Sequence, residues 1–89
     1  MNFTFYILYS PSADRYYIGH TSELIEERVR KHNSNHKGFT GKFGDWAVFY
    51  TETFATKSEA YQRELQIKNW KNRARIEKLS SAGVEHPDL

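Results

Sequence analysis

Tyr16, Tyr17, Arg28 and His32 fall within seventeen residues of one another, either as a packed aromatic core with a solvated helix face or as a phosphate-handling site. Tyr6 lies in an apolar run, and Tyr17 follows in the stretch Tyr17-Ile18-Gly19. Arg28 and His32 are four residues apart, so on a helix they share one face. Glu64 falls in a later helical pattern. Hydrolysis of a phosphodiester requires water to be deprotonated, charge on the equatorial oxygens to be neutralised and the leaving oxygen to be stabilised. A phenol has an ordinary pKa of about 10, and nearby cations favour its ionised form. The planar fork of an arginine clamps a non-bridging oxygen through two charge-assisted hydrogen bonds. A glutamate can hold one hard cation, with waters and substrate oxygens completing the shell.

Each residue also has a plainer reading. Strands favour tyrosine, so Tyr6 and Tyr17 are equally at home in a core. Arg28 can serve as a helical ion-pair partner, His32 as a surface residue and His20 as a hydrogen-bonding turn residue. Glu64 has the least comfortable alternative, because a carboxylate in a packed stripe needs Arg63, Lys68 or Tyr61 to compensate it.

The elements that must position these residues follow from the pattern. Phe3, Phe5, Ile7 and Tyr9 alternate with Thr4, Tyr6 and Leu8, which predicts a strand covered on both faces. The turn residues of "SPSAD" lead into "YYIG", so residues 3–19 read as an antiparallel hairpin closed by Gly19. A helix is expected over residues 23–33, capped by Thr21 or Ser22, with Ile25 and Val29 as its apolar stripe and Leu24, Arg28 and His32 on an adjoining face. The stretch "NSNHKGFTGKFGD" reads as a mobile surface loop anchored by Phe39 and Phe43. Residues 46–52 form the third strand, and Thr56-Lys57-Ser58-Glu59 is a capping box that opens a helix reaching about Lys71. Its core-facing positions are expected at Ala60, Tyr61, Leu65 and the stem of Lys68, with Glu64 inside the same stripe. A last helix over residues 73–79 should bury Ile76 and Leu79 and stop near Gly83. The fold class is therefore α/β (α+β): a small three-stranded antiparallel sheet flanked by helices, with one domain over residues 1–82 and a tail over 83–89.

Composition narrows the setting. A chain of 89 residues supports one core, and without cysteine it has neither disulfides nor a thiolate zinc site. That suits the reducing cytoplasm. His20, His32, His36 and His86 show no metal-ligand spacing. The apolar run over residues 3–9 is far too short to span a bilayer and lacks signal-peptide flanks, so no membrane partner is expected. Net charge is only +2, but its distribution is uneven. Arg28, Arg30, Lys31, Lys37 and Lys42 form one basic block, and Arg63, Lys68, Lys71, Arg73, Arg75 and Lys78 form a second, diluted by Glu64 and Glu77. Such blocks are either solvated helix faces or a phosphate-binding footprint.

Taken in order and in their elements, Tyr6, the literal Tyr17-Ile18-Gly19, Arg28, His32 and Glu64 resemble the GIY-YIG nucleases over most of the chain, from residue 3 to 79. Thr4-Phe5-Tyr6 stands where the family name spells Gly-Ile-Tyr, and His20 stands where some members carry a lysine. Arg28 is nine residues beyond Gly19, one more than expected, which calls for a bulge or a longer cap. A late asparagine used by some members corresponds to Asn69 or Asn72.

The resemblance implies a divalent-metal-dependent endonuclease acting on DNA, with repair or recombination as its setting and RNA sharing the same phosphodiester chemistry. By that implication Tyr6, Tyr17, Arg28, His32 and Glu64 are catalytic. Tyr17 is the base, Arg28 the phosphate clamp, and His32 the partner of Tyr17. Tyr6 orients water or phosphate, and Glu64 is the ligand of one Mg2+ or Mn2+. His20 is an auxiliary candidate. Nucleic acid would be held by Arg30, Lys31, Lys37, Lys42, Lys68, Lys71 and Arg75. A protein partner or a dimer is compatible with this. The rival readings are a nucleic-acid-binding module of the same fold that does not cut efficiently, and a protein-interaction domain.

Overall fold

The computed structural model describes residues 2–34 and 44–85, with side chains described through residue 79. The alternating run becomes β1 (Phe3–Ser10), flanked by β2 (Arg15–Thr21) and β3 (Ala47–Phe54) in an antiparallel sheet of order β2-β1-β3. The helices are α1 (Ile25–Ser34), α2 (Lys57–Lys68) and α3 (Arg73–Glu85). No helix among the described residues is long and apolar enough to cross a membrane.

Because successive side chains of a strand point to opposite faces, β1 feeds two core clusters, one on each face of the sheet, where chain length alone suggested a single core. Phe5 and Ile7 pack with Ile67 of α2 and Ile76 of α3, joined by Tyr16, Ile18, Tyr50 and Leu79. Tyr6 and Leu8 face the other way, onto Trp46, Tyr17 and the Ile25 and Val29 stripe of α1. Each such fully buried large side chain contributes roughly 1.5–3 kcal/mol. The sheet is thus covered by α1 on one face and by α2 and α3 on the other, as the two-sided apolar pattern of β1 requires. Ile7 pairs with Tyr50 but Leu8 pairs with Val48, leaving Phe49 as the extra residue of a bulge. Phe49 and Tyr50 therefore both reach the Phe5 cluster.

Several expected boundaries move. β2 runs two residues past Gly19, to Thr21, whose Oγ1 accepts from the backbone N–H of Glu23 at 3.0 Å. The first α-helical bond runs from Arg28 N to Leu24 O, so α1 starts at Ile25 and not at residue 23. β3 begins one residue later than expected and extends to Phe54. The capping box of α2 forms as anticipated, with Thr56 Oγ1 accepting from Glu59 N and Glu59 accepting from Thr56 N. α2 ends at Lys68, not Lys71, because the amides of Asn69 and Trp70 close its last carbonyls and Lys71 turns to φ 48°. α3 continues to Glu85, through Gly83.

The packed face of α2 also differs. Ala60 and Ile67 are buried, whereas Tyr61 and Leu65 are exposed. Ala60, Arg63, Glu64 and Ile67 form the inward stripe, and its two charged members are compensated from the sheet. Arg63 makes a bidentate pair with Glu52 of β3, Nε at 2.9 Å and Nη2 at 3.0 Å.

Candidate active site

Tyr6 is fully buried, and its ring end lies directly over Gly19, its partner across the β1–β2 ladder. A Cβ at position 19 would sit 2.8 Å from the Tyr6 hydroxyl and 2.9 Å from Cζ. The glycine of the Tyr17-Ile18-Gly19 stretch is therefore the seat of a tyrosine on the neighbouring strand. Around that hydroxyl the chain arranges a relay. Arg28 Nε donates to Tyr6 Oη at 3.1 Å, which leaves the Tyr6 proton to be donated to His32 Nε2, also at 3.1 Å. In that arrangement His32 is neutral and carries its proton on Nδ1. Tyr17, opposite Leu8, packs on the His32 ring at 4.6 Å between centroids and stacks on Tyr6 at 6.3 Å.

The position of α1 makes this possible. Ile25 and Val29 seat it on the Tyr6 face. At its far end the Asn33 amide clasps the start of β3, accepting from Trp46 N at 2.7 Å and donating to Trp46 O at 3.0 Å. His32, next to this clasp, is 7% exposed.

The electrostatics agree with the hydrogen bonding. Burial raises the pKa of the Tyr6 phenol; the Arg28 bond and charge oppose this, Tyr17 and Glu64 add to it, and the net shift is upward. Tyr6 thus stays a neutral donor. Arg28 is held above its usual value, chiefly by its bond to Tyr6. Burial, with the Arg28 charge, pushes His32 below its ordinary value of 6.5.

A pH effect on stability follows. Above about pH 6.5 His32 is neutral in both folded and unfolded chains. As pH falls below that value, the unfolded chain takes up the proton first, so stability declines until the folded ring is protonated as well. The melting temperature of the wild type should fall more steeply than that of His32→Gln between about pH 6.5 and 5. Parallel curves would show that His32 is not held neutral.

Glu64 reaches the sheet from the α2 side. Its Oε1 accepts from Nδ1 of His20 at 2.6 Å and its Oε2 from Lys68 Nζ at 2.7 Å. Burial opposes the charged carboxylate, but the Lys68 and His20 hydrogen bonds outweigh it and hold Glu64 below its ordinary value. The plainer reading of Glu64, a carboxylate compensated by a neighbour on its own helix, thus holds in part. Lys68 is one compensating partner, His20 is the other, and Arg63 is engaged elsewhere. His20 is no turn residue but a member of β2. A cavity of about 360 Å³ is lined by Phe3, His20, Thr21, Ser22, Arg28 and Lys57, which come from β1, β2, the β2–α1 connection, α1 and α2. Among the described residues no carboxylate lines it. Lys57, Thr21 and Ser22 were read from the sequence only as helix-start residues, and nothing in their local pattern marks them as cavity walls.

Among the described residues no three His, Asp or Glu side chains converge as a metal cage. A Mg2+ site needs none, since that ion is commonly held by one or two carboxylates with waters and substrate phosphates. Glu64 suits such a site: it is 12% exposed, and one of its oxygens is covered only by a lysine that is half exposed.

The basic residues separate by layer. Arg30 and Lys31 lie on α1, paired with Glu27 and Glu23. Lys68, Lys71 and Arg75 lie on the α2–α3 side, where Arg75 stacks on Trp70 at 4.1 Å. Lys37, Lys42, Phe39 and Phe43 lie outside the described residues.

Comparison with known proteins agrees with this geometry. Residues 2–78 match the GIY-YIG catalytic domain. The chain is 38% identical over 71 residues to a UPF0213 protein of Bacillus pumilus (strain SAFR-032), covering 78% of this chain and 69% of that protein. The solution NMR structure of a UPF0213 protein from Bacillus halodurans superposes with a TM-score of 0.56 at 28% identity, covering 91% of this chain and 84% of the other. With residues 2–78 matching that catalytic domain, and three antiparallel strands and three helices among the described residues, the chain belongs to the GIY-YIG family, a family of nucleases.

Proposed function

We propose that this protein is a divalent-metal-dependent endonuclease that hydrolyses phosphodiester bonds of DNA. The observation that carries this reading is Arg28, which is fixed through Nε on a buried tyrosine while it also lines an open cavity, with Glu23 as its one carboxylate partner among the described residues. A preorganised guanidinium of this kind stabilises charge that grows on a phosphate without reorganising during the reaction.

In this reading Tyr17 takes the proton of the attacking water. Arg28 binds a non-bridging oxygen, and Tyr6, whose buried hydroxyl is taken up by Arg28 and His32 and so does not orient water or phosphate directly, keeps Arg28 and Tyr17 in register together with His32. Glu64 is the residue that would hold a divalent ion, which when bound supplies charge neutralisation at the phosphate. Lys57, which lines the same cavity and makes no ion pair among the described residues, is an additional phosphate contact. Repair or recombination in the cytoplasm is the setting that fits a cysteine-free chain cutting DNA.

A nucleic-acid-binding module that does not cut is the second reading, favoured by the engagement of both Glu64 oxygens. Incubation with labelled duplex, branched, flapped and single-stranded DNA, and with RNA, in Mg2+, Mn2+ or chelator separates the two. Metal-dependent fragments support the nuclease. Salt-sensitive binding without fragments in either metal selects the module.

A further inference from the structure

The two partners of Glu64 are not alike. His20 is 19% exposed and rooted in a strand, with its ring held edge-on against Tyr61 at 5.6 Å. Lys68 is 50% exposed, one turn along the same helix, and reaches Glu64 by a long flexible stem. One partner is built in, and the other is free to leave. His20 also lines the cavity together with Arg28, so it stands between the Glu64 carboxylate and the proposed phosphate site.

We propose that His20 is a positioning residue that aims the Glu64 carboxylate, while Lys68 is a removable counter-charge, displaced by a divalent cation and then taken up by a phosphate of the nucleic acid. This rests on the reading of Glu64 as the cation-holding group. Its physical basis is competition. A cation on Oε2 and an ammonium on the same oxygen repel each other, so the occupant of higher charge expels the lysine. Once released, Lys68 is an unpaired cation beside the substrate site, and a nearby phosphate offers it a new partner. Cation and nucleic acid must then bind with positive coupling, and linkage makes the effect reciprocal. Hydrogen bonding from a fixed neighbour to a liganding carboxylate in turn sets its orientation and affinity.

The test measures Mn2+ affinity of the purified protein by titration, with and without a saturating short DNA duplex, and recovers the DNA on a gel. For the wild type, DNA should tighten Mn2+ binding by about fivefold or more, the usual lower range of coupled sites. Lys68→Met keeps the stem and removes the charge. It should bind Mn2+ more tightly than the wild type without DNA, and DNA should change that affinity by less than about twofold. His20→Ala should weaken Mn2+ binding by about tenfold, the lower range for loss of a group that orients a ligand. His20→Asn, whose amide can donate near the position of Nδ1, should recover most of it.

Three results would overturn the proposal: undiminished coupling in Lys68→Met, no gain in its DNA-free affinity, or His20→Asn no better than His20→Ala. Absence of Mn2+ binding by the wild type would overturn it as well. Coupled binding with the DNA recovered intact would leave the proposal standing and remove the nuclease reading instead.

Discussion

Arg28→Ala is expected to slow DNA cleavage by roughly 10²–10³-fold, the loss associated with one preorganised donor at a developing oxyanion. Binding should weaken far less. Arg28 has several tasks at once: Nε is committed to Tyr6 at 3.1 Å, Nη1 lies 3.6 Å from Glu23 Oε2, and the residue lines the cavity. An ammonium cannot divide itself in this way, because it is a point donor on a flexible stem. Arg28→Lys should therefore recover little of the rate even though the charge is kept. Single-turnover rates and binding constants of both variants check this. If rate and affinity fall in equal proportion, Arg28 contributes uniform binding and the transition-state role is wrong.

Gly19→Ala should be nearly as damaging, although residue 19 has no side chain to react. Its new methyl would lie 2.8 Å from the Tyr6 hydroxyl, and Tyr6 is fully buried between Leu8, Tyr17 and α1. Something must move, and the hydroxyl is the nearest atom. Overpacking of this kind costs about 1–3 kcal/mol of stability. Displacement of Tyr6 also shifts Arg28 and His32, since both hold the same oxygen. Misplacement by about 1 Å can cost a hundredfold in rate, so the variant should be folded, less stable and roughly 10²-fold slower. Adding Tyr6→Phe removes the closest clashing atom; it should recover part of the stability of Gly19→Ala and none of the rate. A Gly19→Ala protein with wild-type melting temperature and rate would show that Tyr6 is not seated as described.

Much of this site was legible before any coordinates. β1 announced itself through apolar residues on both faces, and a strand of that kind must be covered twice. Four-residue spacing placed Arg28 and His32 on one side of α1 wherever the helix began. What stayed hidden depended on partners distant in the chain. Gly19 was visible as a glycine, but its reason is the register that sets Tyr6 against it. His20 read as a turn residue because nothing local shows that Glu64 reaches it from forty-four positions away.

α2 shows the same limit. Hydrophobicity alone selected Tyr61 and Leu65 as core residues, yet the inward stripe runs through Ala60, Arg63, Glu64 and Ile67. Two charged residues can occupy it because Glu52 and His20, both on strands, compensate them. Long-range ion pairs overrode the local pattern. The late start of α1 had a local cause, the turn at Thr21, whose hydroxyl binds the Glu23 amide and delays the first helical bond to Leu24.

The central claim is that Tyr17 serves as the base of a metal-dependent hydrolysis, and one comparison addresses it directly. Wild type and Tyr17→Phe, each in excess over end-labelled DNA, are mixed with Mn2+ or chelator, and the first-order appearance of cut strand is followed. The account predicts cutting by the wild type in Mn2+ alone, a rate lower by about 10² or more for Tyr17→Phe, and closely similar DNA affinities and melting temperatures for the two. Equal cleavage rates for the two proteins, or wild-type cleavage that is unchanged in chelator, would contradict it.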